Sequence, residues 1–144
     1  MSPDRAVTVS KLLVAVDGSW QSTTAVKLAS EMAKGLGAEP TLLHVIPSTE
    51  SRAPVTEVEG AGKEKGGLSI LRAAAEVARA AGVEARTELR RGHVVDEILQ
   101  FANRFKPDVI IKGSRGMSQV KGLLLGSVSQ TVSQYSPSSV LIVR

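Results

Sequence analysis

The chain has 144 residues and a formal net charge of +4, and it is 42% hydrophobic but only 3% aromatic. That length suits a single domain, and that apolar fraction excludes a disordered chain, so the core must be built from Val, Leu, Ile and Ala. With no cysteine there is no disulfide framework, zinc–thiolate site or thiol nucleophile, and with no long apolar run or signal-peptide segment the expectation is a soluble, cytoplasmic domain without membrane contact.

In chain order, residues 1–10 read as an N-terminal tail. Lys11–Val16 (KLLVAV) is apolar on both faces, which predicts a buried strand, and Asp17-Gly18 ends it. A helix follows over Ser22–Lys34, with Ala25, Leu28, Ala29, Met32 and Leu36 on its apolar stripe. Ser19 or Ser22 can cap it, and Gly35 and Gly37 stop it. Thr41–Ile46 (TLLHVI) is a second buried strand. Residues 47–67 then turn polar and glycine-rich, and are expected to form a long flexible loop.

Leu68–Ala81 is an alanine-rich helix with a stop at Gly82. Val83–Leu89 alternates and is more polar, which predicts an edge strand. His93–Phe105 is a helix with Val94, Val95, Ile98, Leu99, Ala102 and Phe105 inward. Asp108–Ile111 is a fourth strand, Ser127–Tyr135 a fourth helix and Val140–Val143 a fifth strand. Strict β-α alternation implies an α/β fold, a single doubly wound parallel sheet with helices on both faces. In such sheets a ligand sits beyond the carboxyl ends of the strands, where the winding reverses.

The segment GSRGMSQVKGLLLGS, Gly113 to Ser127, holds four of the thirteen glycines. From Val109 to Arg144 the chain carries Lys112, Arg115, Lys121 and Arg144 and no carboxylate, a local field that favours an anion. Neither GxxxxGK[ST] nor a GxGxxG after the first strand is present, so two familiar phosphate loops are excluded. A glycine at the strand end still lets backbone approach a ligand, and a helix opening at Gly126-Ser127 offers free N–H groups. Ser127-Val128-Ser129-Gln130 also has the capping-box pattern, so Ser127 either caps its own helix or meets an anion. The four aromatic residues are scattered, which argues against a nucleic-acid surface.

The spacing Gly113-x2-Gly116-x9-Gly126-Ser127 resembles the nucleotide motif of the universal stress protein family. LLVAVDGS, LLHVIP, GHVVDEIL and PSSVLIVR agree with it over about Lys11 to Arg144. The resemblance implies a Rossmann-like five-stranded sheet in the order 3-2-1-4-5 and one domain over residues 1–144. It implies ATP binding as a stress-response module, with a slow ATP hydrolase or a nucleotide-free dimeric scaffold as the alternatives. By position it places Asp17 at the ribose, the backbone of Val45 at adenine and Gly113 near the ribose. Arg115 is a phosphate partner by charge, and Gly116, Gly126, Ser127, Val128 and Ser129 would hold the phosphates. A magnesium or manganese ion would bridge phosphate oxygens. The Val140–Val143 strand ends the sheet, and by resemblance it pairs with its twofold mate in a homodimer.

Three residues stand apart. Lys112 occupies a place that is usually apolar in the family; it either snorkels to water or adds a cation at the nucleotide rim. His44 reads as a core histidine with a satisfied hydrogen bond. His93 falls near the start of the third helix, and the two lack zinc-site spacing.

Overall fold

The structure, a computed structural model, describes residues 6–48, 57–115 and 125–144, with the backbone alone at 57–60. Strands β1 (Lys11–Ala15), β2 (Glu39–Pro47), β3 (Arg86–Gly92), β4 (Val109–Gly113) and β5 (Ser139–Val143) alternate with helices α1 (Trp20–Leu36), α2 (Glu57–Ala80), α3 (Val94–Phe105) and α4 (Ser127–Tyr135). The sheet runs β3-β2-β1-β4-β5 with every pair parallel. This is the expected order, and its reversal falls between β1 and β4.

The apolar strand runs explain the two-layered core. Successive side chains of a strand face opposite ways, so Leu12 and Val14 join Leu42 and Ile111 beneath α1 and α2. Leu13 and Ala15 join Leu43, Val45 and Ile110 beneath α3 and α4. Leu12, Leu13, Leu42, Leu43, Ile110 and Ile111 are fully buried, each contributing about 1.5–3 kcal/mol of transfer free energy. Helices on both faces make the sheet doubly wound.

The boundaries show where side-chain identity misled. Helix α1 starts at Trp20 because Ser19 caps it: the Ser19 hydroxyl accepts from Ser22 N at 3.2 Å. It runs through Gly35 and ends at Gly37, whose φ is 67°. Ala25, Val26, Ala29 and Ala33 form its buried face, while Leu28 and Leu36 are exposed; small residues there let the helix lie close to the sheet.

The flexible loop expected over 47–67 is corrected at both ends. Pro47 still belongs to β2, and α2 begins at Glu57 rather than Leu68; residues 49–56 lie outside the described ones. The polar residues 61–66 are exposed because this part of the helix faces solvent, so no apolar stripe marks it. Gly67 is where α2 first meets the sheet. It is buried, and a Cβ there would come within 2.9 Å of Leu89 Cδ1 and 3.0 Å of Ile46 Cγ1. A residue that looks like a helix breaker is thus a contact point of helix on sheet.

Strand β3 is the polar edge strand anticipated, displaced to Arg86–Gly92. Val83 instead closes the end of α2, its N–H donating to Ala78 O at 3.0 Å. Strand β4 starts one residue later than expected and extends through Lys112 and Gly113. At its beginning the Asp108 carboxylate accepts from Ser10 N at 2.7 Å, Lys11 N at 2.9 Å and Ser10 Oγ at 3.2 Å. Residues 6–10 have no regular structure, and this carboxylate fixes their last member to the sheet.

Candidate functional site

A pocket of about 520 Å³ opens beyond the carboxyl ends of β1, β2 and β4, beside the topological reversal. Its apolar wall comes from Ala15, Leu43 and Val45 on the strands, Val94 and Ile98 on α3, Val128 on α4 and Ile70 on α2. Its polar groups are Asp17, Ser22, His44, Lys112, Arg115, Ser127 and Ser129. An apolar cleft with a few converging polar groups, of this size, suits a small organic ligand.

The chain after β1 turns sharply, and Asp17 organises the turn. One of its oxygens, Oδ1, accepts from Ser19 N at 2.9 Å, and its own N–H donates to Ser22 Oγ at 3.4 Å. The carboxylate is therefore held at the strand end, at the mouth of the pocket. On β2, Val45 is buried and faces α3, and its backbone pairs in register with Arg90. His44 Nδ1 lies 2.7 Å from Val16 O, so its ring ties β2 to β1. It is a buried histidine with a partner, as its apolar setting suggested. His93 precedes the first turn of α3, and its Nδ1 lies 3.3 Å from Asp96 Oδ2 on the solvent side.

The two glycine pieces meet directly. Gly126 N donates to Ser114 O at 2.7 Å, and Ser114 N donates to Val143 O at 2.7 Å. The turn after β4 and the start of α4 are thus joined by backbone and anchored to β5. Gly113 sits against α1: a Cβ there would lie 2.8 Å from Gln21 Cβ and 3.0 Å from the Gln21 backbone carbon. Only glycine lets this strand end pass beneath the helix.

Helix α4 corrects the capping-box reading. Gly126 is the N-cap residue, with extended backbone, and Ser127 is already the first helical residue, so its hydroxyl makes no cap bond. The first intrahelical bond runs from Gln130 N to Gly126 O at 3.0 Å. The N–H groups of Ser127, Val128 and Ser129 precede it and point out of the helix end, where the dipole is positive. Ser129 is fully buried, and its hydroxyl donates to Gly113 O at 2.8 Å. That bond locks the helix start onto the end of β4.

Of the residues expected at the site, Asp17, Val45, Gly113, Arg115, Gly126, Ser127, Val128 and Ser129 all line this one pocket. Gly116, Lys121 and Gly122 lie outside the described residues. Pocket residues not singled out in the sequence are mostly aliphatic; Val94 and Ile98 carried a signal only as inward positions of a helix, and Ile70 carried none.

Lys112 does not snorkel to water. It is 7% exposed and lines the pocket on the face shared with Ala15 and Ile110. Burial pushes its amine below the usual lysine value of 10.5, and the nearby Asp17 carboxylate offsets part of that. The end of β4 faces a pocket walled by Val94 and Ile98 of α3 and Val128 and Ser129 of α4 as well as by the strands.

A doubly wound domain with an anion-favouring helix end at its switch point belongs to a broad class of nucleotide-type folds. Comparison with known proteins narrows the class. The model of the universal stress protein family matches residues 8–144, and the chain belongs to that family. It is 40% identical over 147 residues to the universal stress protein YxiE of Bacillus subtilis, covering 94% of this chain and 99% of that protein. A universal stress protein crystallised in complex with cAMP shares 29% identity and a TM-score of 0.75, covering 96% and 99% of the two chains. The universal stress protein UspA from Lactobacillus plantarum shares the fold with a TM-score of 0.79 at 20% identity, covering 96% and 100%.

Proposed function

We propose that the protein binds an adenine nucleotide in this pocket, ATP foremost, and serves as a nucleotide-responsive module in a stress response. The observation that carries this reading is the junction of the β4 end with the α4 N-terminus through Gly126 N and Ser114 O. It places three helix-end N–H groups beside an apolar cleft large enough for a base and ribose. The 29%-identical relative crystallised with cAMP supports an adenine nucleotide as the ligand class.

In this reading the adenine ring enters between the aliphatic wall and the backbone of Val45. Asp17 accepts from ribose hydroxyls; a carboxylate suits a hydroxyl donor and repels phosphate. Gly113 gives the ribose room, and Arg115, Gly116, Gly126, Ser127, Val128 and Ser129 surround the phosphates. Asp17 is the one carboxylate among the pocket-lining residues, and no group of three His, Cys, Asp or Glu side chains gathers among the described residues. The donor set therefore does not fit a protein-held metal. A magnesium or manganese ion would arrive with the nucleotide, held by its phosphate oxygens.

The β5 edge of the sheet would pair with a second copy through Val140–Val143. No described helix is long and apolar enough to cross a membrane, and we place the protein in the cytoplasm.

The test is isothermal calorimetry with ATP on the wild type and on Gly126→Val, Ser127→Ala, which obstructs the helix start. Saturable heat in the wild type and none in the double variant, with unchanged circular dichroism, is the expected outcome. Equal affinity in both would remove the phosphate assignment, and no heat in the wild type would remove nucleotide binding. Mass spectrometry of small molecules released on denaturation separates storage of ATP from slow hydrolysis to ADP.

A further inference from the structure

The Lys112 side chain is the one buried lysine of the described residues, and the fold leaves it poorly satisfied. An ammonium carries three donors. Among the described residues its one hydrogen bond is to Gly113 O, at 3.4 Å, and no carboxylate lies within ion-pair distance of it. A cation removed from water without close partners is costly unless a ligand supplies the missing anion.

Its position says which part of a ligand that would be. Gly113 O accepts both from Ser129 Oγ at 2.8 Å and from Lys112 Nζ at 3.4 Å. The ammonium therefore shares an acceptor with the third residue of α4 and sits at that helix's first turn. The outward N–H groups of Ser127, Val128 and Ser129 and the positive end of the helix dipole are there too. Two independent features, a helix end and a nine-tenths-buried lysine in the same pocket, converge on one anion.

We propose that Lys112 is a specificity-determining residue: its ammonium takes a phosphate oxygen of the bound nucleotide at the first turn of α4, and so favours the metal-free nucleotide over its magnesium complex. This rests on the nucleotide reading above. The physical reason for the preference is charge. A divalent ion on the same phosphates would stand close to a buried ammonium in a poorly screened site, and the two cations repel. The lysine also does locally what the metal otherwise does, neutralising phosphate oxygen. A phosphate would supply the short, charge-assisted bond that Gly113 O does not. Burial leaves the free amine easier to deprotonate than usual, Asp17 offsets part of that, and a bound phosphate would favour the charged form further.

Calorimetry with ATP in EDTA and with ATP in excess magnesium, on the wild type, Lys112→Met and Lys112→Gln, tests this. The wild type should bind the metal-free form at least as tightly as the magnesium form. Either substitution should weaken metal-free binding by about tenfold, the worth of one hydrogen bond to a charged group. The magnesium complex should lose less, so the ratio of the two affinities shifts. A fold that is merely loosened would weaken both forms alike and leave the ratio unmoved, which would overturn the proposal. So would a wild type that prefers the magnesium complex, whatever becomes of the variants. If the wild type binds neither form, the nucleotide reading itself falls. If it binds and the ratio is unchanged in the variants, only the role of Lys112 falls.

Discussion

The two ends of the sheet each carry a charged side chain from the same strand region, Asp108 before β4 and Lys112 near its end, and the structure treats them in opposite ways. At the amino end, the Asp108 carboxylate collects three hydrogen bonds from Ser10 and Lys11. Those bonds hold its pKa below 3.8, the two backbone N–H groups contributing most. At the carboxyl end, the Lys112 ammonium is more deeply buried, yet among the described residues it has a single long bond, to its neighbour's carbonyl. One charge is spent on joining the start of β1 to β4. The other is left open in a pocket. A charge kept with satisfied partners argues for structure, and one kept without them argues for a ligand.

Substitutions at the two ends should therefore differ in sign. The largest effect is expected from Lys112→Met. Removing an under-paired buried cation should stabilise the ligand-free protein by about 1–3 kcal/mol, read as a rise in the urea midpoint at neutral pH. Its pH dependence sharpens the point. The folded-state pKa is lowered from 10.5, so between that lowered value and 10.5 the unfolded chain binds more protons. Wild-type stability should gain as pH rises through that window, and Lys112→Met should lack the gain. A destabilised Lys112→Met would mean that the amine is satisfied within the fold, and the contrast would collapse.

Asp108→Asn should do the reverse. The depressed pKa means that the carboxylate contributes stability in full above 3.8, lost as pH falls through its lower folded value. The variant should be less stable at neutral pH by about 1 kcal/mol, with a flatter acid limb in urea titrations taken from pH 6 to pH 2. The site is open to solvent, so a larger loss is not expected. Equal acid limbs in the two proteins would show that the bonds from Ser10 and Lys11 do not depend on charge.

The smallest effect lies away from both ends. In α2 a Cβ at Gly66 meets nothing within 4 Å, whereas at neighbouring Gly67 it meets Leu89 and Ile46. Gly66→Ala should add about 0.5–1 kcal/mol of helix propensity, measured by thermal unfolding. Gly67→Ala should gain less or nothing, because the gain is offset by displacing two core side chains. Equal gains would mean that α2 lies farther from the sheet.

How much of this was legible in the sequence follows from what each element buries. The aliphatic strands Lys11–Ala15, Glu39–Pro47 and Ser139–Val143 announced themselves because both of their faces need apolar side chains. Alternation of strands with helical stripes then gave the architecture. Residues 61–66 of α2 did not, since Gly62, Lys63, Glu64, Lys65 and Gly66 are exposed and carry no stripe. Gly67 looks like punctuation because its role is a helix-to-sheet contact visible only in three dimensions. The glycine spacing located the α4 start, but the hydroxyl of Ser127 suggested a cap that the backbone of Gly126 makes unnecessary. Lys112 is hard to read for a similar reason: nothing local records that the end of β4 faces a pocket walled by α3 and α4.

In the function proposed above, the nucleotide's phosphates lie on the first turn of α4. Amide chemical shifts of isotope-labelled protein, followed while ATP is added, test it directly. The Ser127, Val128 and Ser129 resonances should move with one common saturation curve while those of Ser10 and Lys11 at the opposite end stay still. Saturable shifts that spare Ser127–Ser129, or that centre on the Asp108 end, would contradict it.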